Sequence, residues 1–252
     1  LDNLRDYAGR RGRSIQFHPL TTGGIEAIGD EFGEFEVDDA WKQQLDRLKT
    51  AKEQVAPVPS TLTAELRDYQ HEGFAWLNRL ATWGAGACLA DDMGLGKTLQ
   101  ALALIVSKAP TGPSLVVAPT SVCANWLDEC HRFAPTLKPI LFGAGDRQSM
   151  IDDAGPFDLV VASYGLMQQS IDHLQEKKWQ TLVLDEAQAI KNPATKRSKA
   201  VARLKADFKI ALTGTPVENH LGELWSLFDF LNPGLLGSLQ SFNERFAGPI
   251  EQ

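Results

Sequence analysis

The sequence predicts an α/β fold in which a mainly parallel sheet carries helices on both faces. From Leu62 onward, short apolar segments rich in Leu and β-branched residues alternate with segments of helical periodicity. Two of the apolar segments end in residues that suit phosphate and metal chemistry, a Gly-Lys-Thr run and an Asp-Glu pair. Because continuous apolar strands occur where both faces of a sheet are covered, the alternation indicates parallel strands between two helical layers.

Residues 1–60 predict an N-terminal extension ahead of this domain. Up to about residue 37 the pattern indicates an irregular connector or the end of a preceding domain. A short helix is predicted over about 39–55, after Asp38 as a possible N-cap, with an apolar stripe made by Trp41, Leu45, Leu48 and Val55. A proline-containing linker follows this helix. The chain begins at Leu1 rather than Met, and we expect it to be a segment of a longer polypeptide.

Residues 61–252 carry the alternating pattern. The predicted strands are 86–90, 114–118, 139–142, 158–162, 181–184 and 208–212, and the predicted helices include 66–80, 122–133, 193–204 and 221–231. Asn192 is a candidate N-cap for the third of these helices, with Pro193 in its first turn. For the last helix, the predicted buried face consists of Leu221, Leu224, Trp225, Phe228 and Leu231. In such sheets ligands bind at the carboxyl ends of the strands, where the loops bearing Lys97, Thr120, Ser163 and Asp185 converge.

The run from Leu89 to Thr98 is a candidate phosphate-binding loop between a strand and a helix. Glycines allow the backbone to curl around an anion, so that N–H groups and the helix N-terminus point at it. Lys97 would then add a charge at the β/γ-phosphates, and the Thr98 hydroxyl would ligate Mg²⁺. The general signature has glycine where this chain has Asp91. A plain tight turn would explain the two glycines but not Lys-Thr.

Asp185 and Glu186 follow an apolar strand and form the second candidate site. Two adjacent carboxylates at the end of a buried strand are costly unless they meet a cation or water. Asp185 suits Mg²⁺ through a water, and Glu186 suits polarising the attacking water. An ordinary exposed loop would explain the pair alone, but both sites together indicate nucleoside-triphosphate binding with hydrolysis chemistry.

Composition restricts the class of protein. With 43% hydrophobic and 23% charged residues the chain is globular, and no apolar run approaches the roughly 20 residues of a membrane span. We therefore expect a soluble intracellular protein with no membrane partner. The three cysteines lack a Cys-x-x-Cys pair, which argues against a disulfide framework or a zinc site.

Charge is distributed unevenly along the chain. The net charge is −7, but the segment 23–39 holds seven acids and no Lys or Arg, and without it the charges balance. The segment 191–209 carries seven bases against one acid. A local basic strip can bind phosphates on a protein that is acidic on average. The strip could equally be the solvated face of a helix, and both interpretations stay open for Lys196, Arg197, Lys199, Arg203 and Lys205.

Six motifs, in one order, resemble the first RecA-like lobe of the Swi/Snf-type ATPases, DNA translocases of helicase superfamily two. The resemblance covers about residues 60–250 and includes the form of the phosphate loop with Asp91. It implies a RecA-like, three-layer P-loop fold. The motifs are LRDYQ (66–70), DDMGLGKT (91–98), LVVAPTSVCANW (115–126), ASYG (162–165), LDEAQAIKN (184–192) and LTGTPVENHLGELWSLFDFLNPGLLG (212–237).

The resemblance implies a role for each matched residue. Gln70 would hold the adenine edge, which makes ATP the nucleotide, with Mg²⁺ as its metal. Lys97, Asp185 and Glu186 would serve catalysis, and Thr98 and Asp185 the metal. The nucleotide-binding set is Gln70, Asp92, Met93, Gly94, Leu95, Gly96, Lys97 and Thr98. The implied DNA contacts are Pro119, Thr120, Ser121, Asn125, Ser163, Tyr164 and Lys191, and the implied coupling residues are Thr213, Gly214 and Thr215.

The family's second lobe, with arginines that reach the γ-phosphate, is not among these residues. An arginine finger contributes roughly 10³- to 10⁵-fold in rate in other phosphoryl-transfer enzymes. We therefore expect this segment alone to bind nucleotide weakly and to hydrolyse it very slowly.

The implied function is ATP-driven translocation on double-stranded DNA or remodelling of a protein–DNA complex, in the cytoplasm or nucleoid, or in a eukaryotic nucleus. A strand-separating DNA or RNA helicase, a nucleotide- and DNA-binding module without turnover, and a P-loop kinase of small metabolites are the alternatives.

Overall fold

The computed structural model describes residues 8–11, 14–22, 38–143 and 145–248. Its centre is a six-stranded sheet, all of whose pairings are parallel, in the order β3-β8-β7-β4-β6-β5. The strands are β3 (Ala87–Leu89), β4 (Ser114–Ala118), β5 (Lys138–Leu141), β6 (Asp158–Ser163), β7 (Lys178–Leu184) and β8 (Lys205–Leu212). The predicted α/β fold with a parallel sheet is confirmed.

Helices join most of these strands and cover both faces of the sheet. They are α1 (Asp39–Glu53), α2 (Asp68–Trp83), α3 (Lys97–Lys108), α4 (Thr120–Phe133), α5 (Arg147–Asp152), α6 (Tyr164–Gln169), α7 (Ile171–Leu174), α8 (Lys196–Val201), α9 (Leu221–Leu231) and α10 (Leu239–Phe242). Short 3₁₀ segments lie at Pro19–Thr21, Ala109–Thr111 and Ala187–Ile190, and one π-helical turn at Asn243–Ala247.

Alternate residues of the central strands enter two different cores. In β4, Val116 and Ala118 pack with α2, α3 and α4, whereas Leu115 and Val117 pack with α6 and α9 on the other face. All five residues of β4 are buried, as are the last five of β6. Side chains of a strand point alternately to its two faces, so this division shows a sheet between two helical layers. The predicted three-layer architecture is therefore confirmed.

The N-terminal helix α1 packs against α2. Asp38 caps it as predicted, because its carboxylate accepts a hydrogen bond of 2.8 Å from the Trp41 N–H. Gln44 donates to the Trp83 carbonyl at the far end of α2 (3.1 Å). The predicted stripe is wrong at Val55, which lies beyond the end of α1 and is 89% exposed. The buried positions of α1 are instead Gln44 and Ala51. The division of the chain at residue 60 stays a prediction.

Part of the predicted irregular connector forms a small sheet. Residues Ala8–Arg11 (β1) and Ser14–Phe17 (β2) pair antiparallel. Adjacent short segments can pair locally without the apolar alternation that marks a half-buried strand. For this reason hydrophobic periodicity did not predict β1 and β2. Residues 1–7, 12–13 and 23–37 of the connector lie outside the described residues.

The predicted start of α8 was wrong. Asn192 does not cap a helix: its carboxamide oxygen accepts from the Ala194 N–H (2.9 Å) and closes a local turn. The helix begins at Lys196 and is capped by Thr195, whose hydroxyl accepts from the Ser198 N–H (3.2 Å). Both residue types favour turns and caps, so the sequence alone did not distinguish them.

The predicted buried face of α9 was right only at Leu231, because Leu221, Leu224, Trp225 and Phe228 are half-buried. Its inward face carries the polar residues Glu223 and Ser226 besides Leu227, Phe230 and Leu231. Ser226 donates to the Ile190 carbonyl (2.7 Å) in the segment that follows β7. Because part of this inward face is polar, a search for an apolar stripe in the sequence does not detect it. No helix in the described ranges has both the length and the apolar character needed to cross a membrane.

Candidate functional site

The phosphate loop lies between the end of β3 at Leu89 and the start of α3 at Lys97. Gly94 (φ 83°) and Gly96 (φ 74°) adopt left-handed conformations that other residues rarely take. A Cβ at Gly96 would also lie 2.4 Å from the Gln70 amide nitrogen. Glycine at position 96 therefore meets both a backbone and a packing requirement, and the loop turns tightly into the helix N-terminus.

Lys97 turns its ammonium back towards this loop. Its Nζ donates to the backbone carbonyls of Asp91 (2.5 Å) and Asp92 (3.0 Å). Thr98 follows in the first turn of α3 and is half-buried. The cation and the hydroxyl thus both lie at the helix N-terminus, where the helix dipole favours an anion.

The start of α2 packs directly on the phosphate loop. The Tyr69 hydroxyl and the Gln70 amide both donate to the Leu95 carbonyl, at 3.1 and 3.2 Å. The carboxamide oxygen of Gln70 accepts from the Arg67 N–H (2.9 Å). Gln70 is buried, so its amide braces the loop, and its adenine contact stays a prediction.

Asp91, which departs from the general signature, has a partner that the sequence reasoning missed. Gln100, fully buried in α3, donates from Nε2 to the Asp91 carboxylate (3.1 Å). Gly73 provides the room, since a Cβ there would lie 1.9 Å from the Gln100 amide oxygen. The sequence signal that could have identified this partner is Gln100 itself, a single polar residue directly before the apolar run 101–106. The aspartate therefore ties the loop to its own helix.

Asp185 follows the last residue of β7 and is held from three directions. The Trp126 indole N–H donates to Oδ2 (2.8 Å), and the Glu186 backbone N–H donates to Oδ1 (2.9 Å). The Tyr164 hydroxyl donates to the Asp185 carbonyl (2.9 Å). Only 9% of Asp185 is exposed. The carboxylate is consequently fixed in one orientation.

The electrostatics of Asp185 connect it with Lys97. Burial raises the pKa of the Asp185 carboxyl, and the neighbouring Glu186 charge raises it further. The hydrogen bonds from Trp126 and from the Glu186 N–H act in the opposite direction, as does the positive charge of Lys97. The two side chains are therefore close enough for their charges to interact.

Strand register explains this proximity. Leu89 of β3 pairs with Leu212 of β8, and Leu184 of β7 pairs with Ala211. The phosphate loop and Asp185 thus leave the same edge of the sheet, with only β8 between their strands. Neighbouring strands are about 4.8 Å apart, so the two strand ends are separated by about 10 Å. The structure thus brings residues that are far apart in sequence to the same edge of the sheet.

A chain of hydrogen bonds runs from Glu186 to the segment after β8. The Glu186 carboxylate accepts from the Gln188 amide (2.6 Å), whose oxygen accepts from the Thr213 hydroxyl (3.0 Å). The same hydroxyl oxygen accepts from the Thr215 N–H (3.1 Å). Glu186 itself has a left-handed backbone (φ 48°), a conformation that costs a non-glycine residue energy and is frequent at functional sites.

The phosphate loop also touches this segment. The Thr213 N–H donates to the Leu89 carbonyl (3.2 Å), and a Cβ at Gly214 would lie 3.4 Å from Met93 Cγ. Thr213, Gly214 and Thr215 therefore connect the acid pair with the phosphate loop. Sequence reasoning predicted these three residues as coupling residues but missed Gln188.

The predicted DNA contacts do not form a single exposed surface. Thr120, Ser121 and Asn125 are exposed on α4, and Pro119 is half-buried at its start. Asn125 donates to the Glu129 carboxylate (2.9 Å). Register places Ala118 beside Ser163, so the starts of α4 and α6 are neighbours.

Ser163 and Tyr164 have internal roles instead. The buried Ser163 hydroxyl caps α6 by accepting from the Leu166 N–H (3.2 Å). Tyr164 is 3% exposed, and burial, followed by the Asp185 charge, raises the pKa of its hydroxyl. The Arg197 guanidinium lies 5.2 Å from the centre of its ring.

Lys191 lies in a buried ion pair. Its side chain is 9% exposed, and its ammonium lies 3.1 Å from Glu218 and 3.2 Å from Glu223. Burial would raise the pKa of Glu223, but hydrogen bonds from Asn219, the Glu218 N–H and Lys191 outweigh it and lower the pKa to about 2. This position gives no support to the predicted DNA contact of Lys191.

The basic strip is partly engaged within the chain. Arg203 pairs with Asp172 (2.5 Å) and donates to Gln175 (2.9 Å). Lys209 is half-buried and donates to the Phe230 carbonyl (3.0 Å). Lys196, Arg197 and Lys199 are exposed. Both interpretations stay open for those three. Lys205 is also exposed but begins β8 rather than lying on the helix, so its phosphate contact stays a prediction.

The donor set fits Mg²⁺ held largely by phosphates. In the described part of the chain, no three His, Cys, Asp or Glu residues cluster as a metal site. Mg²⁺ bound with nucleotide needs only one or two protein oxygens, because phosphates and waters supply the rest. The Thr98 hydroxyl at the helix N-terminus and the Asp185 carboxylate at the strand end are ligands of that kind. Cys88, Cys123 and Cys130 are free thiols.

A phosphate loop and a strand-end acid pair on one edge of a parallel sheet define a P-loop nucleotide-binding domain. The chain belongs to the SNF2-related domain family, which matches residues 69–252. The predicted resemblance to the Swi/Snf-type ATPases is thereby confirmed.

Curated relatives and solved structures show the same similarity. YwqA of Bacillus subtilis is 45% identical over 219 residues, which are 83% of this chain and 24% of that protein. The chromatin-remodeling ATPase INO80 of Schizosaccharomyces pombe is 39% identical over 209 residues, 77% of this chain and 13% of INO80. The Sulfolobus solfataricus SWI2/SNF2 ATPase core in complex with dsDNA matches with a TM-score of 0.71 at 46% identity, covering 79% of this chain and 42% of that one. The chain thus spans less than half of each of these proteins.

Proposed function

We propose that residues 61–252 form the first ATP-binding lobe of a DNA-dependent ATPase that translocates on double-stranded DNA or remodels protein–DNA complexes. The observation that carries the proposal is that the phosphate loop with Lys97 and the strand end with Asp185 leave the same edge of the sheet, with only β8 between their strands. A cation, a helix N-terminus and a carboxylate in one cleft are the groups that a magnesium-bound triphosphate requires.

Each group in the cleft has a role in this proposal. The loop N–H groups and Lys97 hold the phosphates, and Gln70 lies beside the loop where it can meet the adenine edge. Thr98 and Asp185 hold Mg²⁺, which neutralises phosphate charge when it is bound. Glu186 orients the attacking water, and the hydrogen bond that its carboxylate accepts from Gln188 restricts its orientation. The remaining loop residues, Asp92, Met93, Gly94, Leu95 and Gly96, form the cradle.

Duplex DNA is the proposed track. Thr120 and Ser121 are exposed at the N-terminus of α4, where hydroxyls and backbone N–H groups suit phosphate oxygens. Such contacts carry no base code, which suits movement along any sequence. The solved Sulfolobus core in complex with dsDNA supports this part of the proposal.

A second RecA-like lobe completes the proposed enzyme. The chain spans 42% of the Sulfolobus core and 24% of YwqA, which leaves room for such a lobe in proteins of this kind. Its arginines would reach the γ-phosphate across the cleft that Lys97, Asp185 and Glu186 line.

ATPase measurements with and without duplex DNA test the proposal. For the full-length protein we expect duplex DNA to stimulate hydrolysis, and absence of stimulation would refute the translocase function. The 252-residue chain alone should be far slower, and equal rates would show that a second lobe is not needed. A strand-displacement assay separates the helicase alternative, because translocation without unwinding leaves the duplex paired.

A further inference from the structure

We propose that Trp126 is a positioning residue for the magnesium-side carboxylate, and that its indole N–H holds Asp185 in the orientation that receives the metal. This inference rests on the proposed function of the site. It concerns a residue on α4, an element otherwise associated with DNA contacts, and it assigns a role to the indole that filling the core does not require.

The geometry of the contact is specific. Trp126 is fully buried in the core between α4 and the sheet, and its Nε1 donates to Asp185 Oδ2 at 2.8 Å. An indole is a donor only, and its rigid ring leaves the N–H a single direction. Because the ring is enclosed on all sides, the direction of the donor is set by the core rather than by solvent.

The contact leaves the Asp185 carboxylate able to bind Mg²⁺. Asp185 Oδ1 accepts the Glu186 N–H, and Oδ2 accepts the indole. A carboxylate offers about four lone-pair sites, so each oxygen keeps capacity for a water molecule of a magnesium ion. With one donor on each oxygen, rotation of the carboxylate would break two hydrogen bonds. The protein thus fixes the ligand before the metal arrives, which lowers the cost of binding it.

Trp179 provides a matched control for simple core filling. It is also fully buried, and its indole N–H donates to a backbone carbonyl, that of Leu174 (3.1 Å). It lies near the start of β7, the same strand whose far end leads into Asp185. Removing the Trp179 indole therefore removes comparable packing and an indole hydrogen bond, here to a neutral carbonyl, without touching the carboxylate.

The experiment compares Trp126→Phe and Trp179→Phe in the 252-residue chain. Binding of a fluorescent N-methylanthraniloyl-ADP is titrated across a series of Mg²⁺ concentrations and in EDTA. We expect Trp126→Phe to raise the Mg²⁺ concentration that gives half-maximal nucleotide binding about 10- to 100-fold, the size of a lost hydrogen bond to a charged group. Affinity in EDTA should stay within about twofold of the parent, because the phosphate loop is untouched. Trp179→Phe should lower the melting temperature but leave the Mg²⁺ dependence unchanged.

A shape-preserving replacement covers the case in which Trp126→Phe does not fold. Site-specific incorporation of 3-benzothienylalanine at position 126 keeps the ring outline and removes only the N–H donor. It should give the same shift in Mg²⁺ dependence as Trp126→Phe. An unchanged Mg²⁺ dependence in this variant, or an equal shift in Trp179→Phe, overturns the positioning role. If the parent chain itself shows no Mg²⁺-dependent nucleotide binding, the proposed function fails, and the inference fails with it.

Discussion

The Thr213 hydroxyl donates a 3.0 Å hydrogen bond to the Gln188 carboxamide, which itself donates to the Glu186 carboxylate. This arrangement joins the acid that follows β7 to the first residue after β8. In the proposed ATPase, a change in the hydrogen bonding of Glu186 would therefore reach Thr213 through one side chain. The buried position of Thr213 leaves its hydroxyl few other partners.

Thr213→Val tests this connection by removing the hydroxyl at nearly constant volume. We expect DNA-stimulated ATPase of the full-length protein to fall about 3- to 10-fold, the range of one net hydrogen bond, while nucleotide affinity changes less than about twofold. Thr213→Ser is the control, because it keeps the hydroxyl. Equal losses in both variants would assign the effect to packing rather than to the hydrogen bond.

Lys97→Ala should abolish measurable nucleotide binding to the 252-residue chain. The ammonium lies within the bend of the phosphate loop, and a charge-assisted hydrogen bond there contributes about 10- to 100-fold in affinity. Isothermal titration with ADP and Mg²⁺ measures the loss. Lys138→Ala, an exposed position on the edge strand β5, should bind as the parent does. If Lys97→Ala kept the nucleotide affinity of the parent chain, the phosphate loop would not be part of the nucleotide-binding site.

Glu186→Gln should preserve ATP binding and stop hydrolysis in the full-length protein. Gln keeps the shape of the side chain but cannot accept a proton from water, and loss of such a group lowers rates by about 10²- to 10⁴-fold. Glu129 is the matched control, because it is the acid of α4 whose charge also interacts with Asp185. Glu129→Gln should keep most of the ATPase activity. Full turnover by Glu186→Gln would reassign the water-activating acid.

Lys191→Met should destabilise the fold without a specific effect on DNA binding. The substitution leaves the Glu223 carboxylate buried without its cation, and breaking a buried pair costs about 3–5 kcal/mol. Urea unfolding measures the change, and Lys199→Met, at an exposed site, should shift stability by less than about 0.5 kcal/mol. A variant that keeps full stability but loses DNA affinity would instead restore Lys191 as a DNA contact.

Glu223 also predicts a specific acid dependence of stability. Its pKa in the folded protein is about 2, below the usual 4.5, so its stabilisation is present above about pH 4.5 and is lost as the pH falls towards 2. The difference in unfolding free energy between the parent and Glu223→Gln should therefore be largest near pH 6 and shrink towards pH 2. A difference that does not change with pH would show that Glu223 contributes only through its shape.

Local sequence patterns were sufficient to predict the strands of the sheet and the two functional loops at its edge. The strand predictions lie within three residues of the observed bounds, because buried parallel strands are short continuous apolar runs. The phosphate loop and the acid pair could be identified because their residue types would be costly in a plain turn or strand end. Chemistry that a short segment holds by itself is visible in sequence.

Contacts between distant segments were not visible. The hydrogen bond between Trp126 and Asp185 joins residues 59 positions apart, and neither residue alone indicates a partner. The pairing of Lys191 with Glu223 turned an expected surface lysine into a buried one. The polar residues on the inward face of α9 likewise bond to residues that are distant in sequence and become neighbours only in the folded chain. These features depend on three-dimensional arrangement rather than on periodicity.

Gly96 has a consequence for genetics. Its backbone angle disfavours any side chain by about 1–2 kcal/mol, and the Gln70 amide already occupies the space that a methyl group would need. A suppressor screen starting from a Gly96→Ala allele would have to relieve a torsional and a steric defect together. A single change that shortens Gln70 would remove the steric contact but not the torsional cost, so such revertants should restore function only in part.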